Sequence, residues 1–178
     1  MAKKINTKSA IKAMYDLISG IDERHKNMKE VACMDDGTYV YMNEYAIFHL
    51  NDYYDTGFPL VPFEASHLKP FFNFLDAAKK MAVTSIDPPT PERIKGMELA
   101  ERDTIQYCPD YYISKKLMLT AWAVLGEYML MTLPENPLHP VYLESEHGAA
   151  CIYPKRPVFI RKGRRKNHTK ERSDHDAF

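Results

Sequence analysis

Val31-Ala32-Cys33-Met34-Asp35-Asp36-Gly37-Thr38-Tyr39-Val40-Tyr41-Met42-Asn43-Glu44-Tyr45-Ala46-Ile47-Phe48-His49-Leu50 is a chain of short apolar stretches broken at two polar points. Val31 and Cys33 followed by Asp35-Asp36-Gly37-Thr38 and Tyr39–Met42 predict a hairpin, with Asp36-Gly37 supplying the tight turn. Asn43-Glu44 closes that run, and residues 45–50 predict a third strand. Its Tyr45, Ile47 and His49 would point to one face and Ala46, Phe48 and Leu50 to the other. This is a meander of an antiparallel sheet covered on one face. Upstream, Ile11, Met14, Tyr15, Leu17 and Ile18 fall at helical spacing from Ser9 to Ser19, with Gly20 as a stop. Residues 22–27 are a charged connection.

The other end has the same order of elements. Asp110-Tyr111-Tyr112-Ile113 is strand-like. Ser114 caps a helix to Leu125 that is apolar at Leu117, Met118, Leu119, Ala121, Trp122, Ala123, Val124 and Leu125. A helix apolar on nearly every side must be buried on more than one. After Gly126, three strands are expected at Glu127–Leu133, His139–Glu144 and Ala149–Tyr153, with turns at residues 134–137 and 146–148. Residues 5–50 and 111–153 thus each read as a helix followed by three strands, which makes the fold class α+β: antiparallel sheet covered by helices, internally duplicated, with a central insert at residues 51–110. Within that insert, Leu60–Ala65 and Met81–Ile86 read as strands. Ser66 would cap a helix to Lys80 striped by Leu68, Phe71, Phe72 and Leu75. Thr90-Pro91 opens a helix to Arg102, and Thr104–Tyr107 forms a short strand.

The run 110–114, the Leu-rich helix to Leu125, Glu127–Met131, Pro140–Gly148 and Cys151-Ile152-Tyr153-Pro154-Lys155-Arg156 resembles the closing half of a domain of the bacterial DNA polymerase sliding clamp, and the N-terminal helix with its Asp36-Gly37 hairpin is similar to the opening half. The resemblance covers about half of the chain. It implies a non-enzymatic, DNA-clamp-like domain, with Lys8 and Lys12 on the first helix and Lys115 and Lys116 on the later one as the cations that would face DNA. The family's ring is closed by six such domains. This chain has room for one, so a ring would need further copies or partners.

Hydrophobic residues make up 45% and charged ones 27% of the 178, a globular balance that excludes a wholly disordered chain. No apolar run is long enough to span a bilayer, and Ile11–Ile21 is interrupted by Lys12, Asp16 and Gly20, which argues against an export signal. Cys33, Cys108 and Cys151 lack CxxC or zinc spacing and read as reduced thiols, so the expected compartment is the cytoplasm. The formal charge is zero, yet residues 158–178 hold seven of the 24 Lys and Arg and only three of the 24 Asp and Glu. A single domain at 1–157 with a net charge of −4 is therefore followed by a flexible tail of +4. Arg161, Lys162, Arg164, Arg165, Lys166, Lys170 and Arg172 are the candidate nucleic-acid-binding residues, since clustered cations neutralise phosphates and release counterions. The same composition also fits a solvated terminus, or docking on an acidic protein.

No catalytic residue, metal site or cofactor is assigned. His25, His49, His67, His139, His147, His168 and His175 form no HExxH-type pattern. Asp35-Asp36 has a cation-site look but is explained by the turn, while Glu101, Asp103 and Asp110 lie near one loop without a fixed arrangement. Tyr39, Tyr41, Tyr45, Tyr53 and Tyr54 either display rings to bases or a partner, or complete the core. Three functions are carried forward: a non-enzymatic, DNA-associated interaction domain; a small hydrolase or transferase built from dispersed Asp, Glu and His; and a structural subunit of a homo-oligomer. No membrane partner is expected.

Overall fold

Asn6 accepts a hydrogen bond from the Ser9 amide at 3.1 Å and so starts helix α1 (Thr7–Ser19), whose Ala10, Met14, Leu17 and Ile18 are buried. The computed structural model describes residues 4–100 and 102–155, which form a mixed α+β structure. A 3-10 turn at Glu23–Met28 leads to strands β1 (Val31–Cys33), β2 (Tyr39–Asn43) and β3 (Ala46–Leu50). Gly37, with φ of 81°, supports the first turn, and Asp36 Oδ1 accepts the Thr38 amide at 3.0 Å. Asn43 Oδ1 closes the second turn by accepting the Tyr45 and Ala46 amides, each at 2.9 Å.

The middle of the chain supplies β4 (Leu60–Pro62), helix α2 (Lys69–Met81), β5 (Ala82–Ile86), helix α3 (Pro91–Gly96) and β6 (Thr104–Cys108). The last third gives β7 (Tyr111–Ser114), helix α4 (Lys115–Leu125), β8 (Leu130–Pro134), β9 (Val141–Ser145) and β10 (Gly148–Ile152). Eight strands form one sheet in the order β4-β1-β2-β3-β10-β9-β8-β5, and β6 with β7 forms a separate hairpin. Every neighbouring pair in the large sheet is antiparallel except β1 and β4. The two meanders meet where β3 runs antiparallel to β10, from Gly148 opposite Leu50 to Ile152 opposite Ala46.

Both faces of the sheet's centre are covered, not one. Ala46, Ile47, Phe48 and Leu50 are all buried although they alternate in direction. His49 packs edge-on to Phe72 of α2 at 5.2 Å, and Lys79 of α2 lies over the Tyr142 ring, so α2 occupies the face of His49 and Tyr142. Helices α1 and α4 touch each other, β2, β9 and β10, and close over the opposite face, where Tyr41, Phe48, Leu143, Ala150 and Ile152 are buried. The insert is therefore part of the sheet. Its β4 and β5 form the two edges, and its α2 forms the second layer.

Several boundaries differ from the expectation. Ser66 does not cap α2; its hydroxyl donates to Glu30 and accepts the Leu68 amide, and the helix begins at Lys69 with Pro70 in its first turn. Leu68, Leu75 and Ala78 are the buried stripe, while Phe71 and Phe74 are exposed. Helix α3 stops at Gly96, not Arg102. The strand expected from Glu127 begins at Leu130, because Gly126 turns the chain with φ of 78°. No described helix is long and apolar enough to cross a membrane.

Gly148 marks the tightest part of the central seam. Its φ is 142°, and a Cβ there would stand 2.2 Å from the His49 carbonyl oxygen and 2.9 Å from the Leu50 Cα. Gly148→Ala is expected to cost on the order of 2–4 kcal/mol of unfolding free energy, read from urea denaturation midpoints. Gly96→Ala, where an added Cβ meets nothing within 4 Å, serves as the control.

Candidate functional site

The α1–α4 pair carries three exposed lysines, Lys8, Lys12 and Lys116. On α1, burial of Ala10, Met14, Leu17 and Ile18 turns Lys8 and Lys12 outward. On α4, Leu117, Met118, Ala121, Val124 and Leu125 face inward, and Lys116 projects to solvent. Ser9, Lys12, Ala13 and Asp16 of α1, Lys115, Lys116, Leu119 and Thr120 of α4, and Asp103 at one end line a groove of about 460 Å³.

Asp103 organises that end. Ser114 caps α4 by accepting the Leu117 amide at 3.2 Å, and its hydroxyl donates to Asp103 Oδ2. Asp103 Oδ1 accepts the Lys116 amide at 2.9 Å and its carbonyl accepts the Lys115 amide at 2.7 Å. A carboxylate already sits on this helix N-terminus, so the amides there are spent, and any phosphate contact falls to ammonium groups. The four helix lysines then separate by role. Lys115 Nζ donates to the Lys95 and Met97 carbonyls at 2.8 and 3.2 Å, and it is structural, closing the C-terminal turn of α3. Lys12 pairs with Asp16 at 2.9 Å, with its side chain 75% exposed, which is an ion pair worth little in water and readily exchanged for another anion. Among the described residues, Lys116 Nζ reaches the Asp16 carbonyl at 3.5 Å, and Lys8 is exposed.

The candidate residues Arg161, Lys162, Arg164, Arg165, Lys166, Lys170 and Arg172 lie outside the described residues. The chain's course up to Lys155 is described. Tyr153 N–H donates to the Tyr45 carbonyl at 2.8 Å and Lys155 N–H to the Tyr112 carbonyl at 3.1 Å, which carries the backbone off the sheet and onto β7. The Lys155 ammonium stands 3.6 Å from Asp103 Oδ2 and 5.1 Å from the Tyr45 ring centroid.

The opposite face has a different character. Met28, Met42, Ile47, Phe71, Phe74 and Tyr153 line a mainly apolar groove of about 400 Å³, with His25, Asn43 and Glu44 on its rim. The tyrosines of the first meander do not form a continuous stacking platform. Tyr41 is buried, accepts the Tyr54 amide at 2.7 Å, and burial raises its phenol above the usual range. Tyr39 and Tyr53 pack on each other at 5.1 Å, leaving Tyr45 and Tyr53 exposed.

Asp36, Thr38 and His49 form a hydroxyl–imidazole–carboxylate chain. Thr38 Oγ1 is 2.5 Å from Asp36 Oδ1 and 2.6 Å from His49 Nε2. The two Thr38 bonds hold the Asp36 carboxyl below its usual range, so the carboxylate accepts the hydroxyl hydrogen bond, and with that hydrogen used, His49 Nε2–H is left to donate to Thr38. A nucleophile needs the imidazole as acceptor of its proton, which is the reverse arrangement. Among the described residues, no group of three His, Cys, Asp or Glu side chains is placed to hold a metal ion.

Asp103 was not legible as an organiser, because it lies 11 residues before Ser114 and only the β6–β7 hairpin returns it to the helix start. No protein-family model, curated protein or solved structure matches the chain.

Burial lowers the His49 pKa from 6.5, against the pull of Asp36 and Asp76. The unfolded chain therefore takes up the proton first. The His49 contribution is complete above the ordinary histidine value and is lost as pH falls from there toward the lowered one. Urea midpoints measured between about pH 7.5 and 5.5 should decline with acidification, and His49→Gln should flatten that decline. An identical slope in both proteins would assign the acid sensitivity elsewhere.

Proposed function

We propose that this chain is a non-enzymatic interaction domain associated with DNA, built as two helix-plus-three-strand units of the sliding-clamp kind. The order of elements supports this reading. Helix α1 precedes β1–β3, α4 precedes β8–β10, and the two triplets meet at β3 and β10. The observation that carries the function is the α1–α4 face, where Lys12 and Lys116 line one groove on the side of the sheet away from α2, and Lys8 is exposed one turn before Lys12. Three cations of this kind, reinforced by the seven between Arg161 and Arg172, suit phosphate contact without base reading. The setting is the cytoplasm, with Cys33, Cys108 and Cys151 as free thiols.

A ring of such domains would be completed by further copies or by partner chains. The sheet edges are where they would join: β5 exposes Val83 and β4 exposes Leu60, and neither strand has an outer neighbour among the described residues.

Fluorescence anisotropy with a labelled 24-base-pair duplex, repeated at several salt concentrations, tests the proposal. Intact protein should bind with a steep salt dependence. Lys8→Ala/Lys12→Ala/Lys116→Ala should flatten the slope of log K against log salt by about 0.9 for each lysine that contacts a phosphate. Salt-independent binding, or none, would leave the structural-subunit reading, for which sedimentation analysis should then show a concentration-independent oligomer.

A further inference from the structure

Strand β5 is the edge of the large sheet that a further strand can reach. It is laddered to β8, and among the described residues no backbone group of residues 83–86 bonds outside that ladder. Val83, Thr84 and Ser85 are exposed in succession, Val83 at 63%. Of the usual guards of an exposed edge, β5 has a register shift between Ala82 and Thr84 but neither charge nor proline within its five residues. The opposite edge is closed to this use. Strand β4 has three residues, Pro59 precedes it and Pro62 ends it, so it offers two N–H groups at most.

Charges flank β5 instead, with opposite sign at its two ends. Lys80 stands two residues before the strand and Asp87 directly after it. Both are exposed, and neither has an ion-pair partner among the described residues. Lys79, by contrast, is held by Glu144 and the Tyr142 ring. We infer that β5 pairs antiparallel with β5 of a second copy of this chain, about a two-fold axis at Thr84, so that Lys80 of each copy stands beside Asp87 of the other. Antiparallel pairing brings the start of one strand to the end of its partner, which sets cation beside carboxylate at both ends. Parallel pairing would set like charges together. In the antiparallel register Val83 lies opposite Ser85 of the second copy, and Ala82 opposite Ile86. The axis is perpendicular to the sheet, so the assembly closes after two copies and both α1–α4 faces lie on one side of the joined sheet. This rests on the reading of the sheet edges as the places where copies join, and not on DNA association.

Sedimentation velocity of the full chain over about 1–100 μM tests the pairing. Intact protein should pass from monomer to dimer within that range and go no further. Lys80→Glu and Asp87→Lys each leave a single sign of charge at both ends of the strand, and each should weaken the dimer at least ~10-fold. An equimolar mixture of the two single variants should recover it, as should the double variant Lys80→Glu/Asp87→Lys, because opposite charges meet again. A folding defect would not be repaired by mixing. Val83→Lys puts a charge on the edge itself and should leave monomer with an unchanged circular dichroism spectrum. A dimer that survives Lys80→Glu, Asp87→Lys and Val83→Lys unchanged would overturn β5 as the joint and leave the sheet-edge reading to β4. Loss in both single variants without recovery in the mixture would overturn the pairing of Lys80 with Asp87. Monomer throughout the range in the intact protein would overturn both readings.

Discussion

The pairing of β3 with β10 is the constraint on which the rest of the architecture depends. It joins residues 46–50 to residues 148–152 through an unbroken antiparallel register. Once that register is set, β1 and β2 extend the sheet on one side and β9 and β8 on the other. The helices that precede the two triplets are then brought against each other over the same face. A groove between α1 and α4 is a geometric result of where the sheet is joined, and the lysines on its rim follow from which side of each helix is apolar. The close approach of Gly148 to the His49 backbone shows how little room the seam has.

The electrostatics of the helix face are more restricted than a count of cations implies. Asp103 consumes the free amides at the start of α4, and Lys115 is spent on the carbonyls that end α3. Lys8, Lys12 and Lys116 remain, on flexible stems in high dielectric, where a bound polyanion would be held by counterion release more than by fixed geometry. The apolar groove beside α2, lined by Met28, Met42 and exposed rings of Phe71 and Phe74, is of opposite chemistry and on the other side of the sheet.

Much of the fold could be read from local signals. The strands between Val31 and Leu50 announce themselves by alternation and by Asp36-Gly37. Ser114 and Gly126 bracket α4, and Thr90 caps α3 through the Arg93 amide. What escaped reading depends on distant partners. Residues 60–62 and 82–86 carry no mark that they would become the two sheet edges, since β4 pairs with β1 and β5 with β8 from far along the chain. Ser66 has the local look of a cap, but Glu30 claims its hydroxyl. Of the candidate site, the helix lysines were legible as exposed positions. The division of Lys115 from Lys116 was not, because it turns on carbonyls of α3.

The join between β3 and β10 also governs the order in which the chain can become a finished object. During synthesis, residues 31–50 emerge about a hundred positions ahead of the strand that completes them, and the β1–β3 meander must wait with one hydrogen-bonding edge uncovered. For that interval β3 presents Ile47 and Phe48 beside unpaired backbone groups, the combination that invites association between nascent chains. Helix α2, made midway between the two, covers the His49 face of β3 in the finished fold, but the hydrogen-bonding edge itself waits for β10. A segment that reads as an interruption of the sequence is thus made before the strand that closes the sheet it helps to cover.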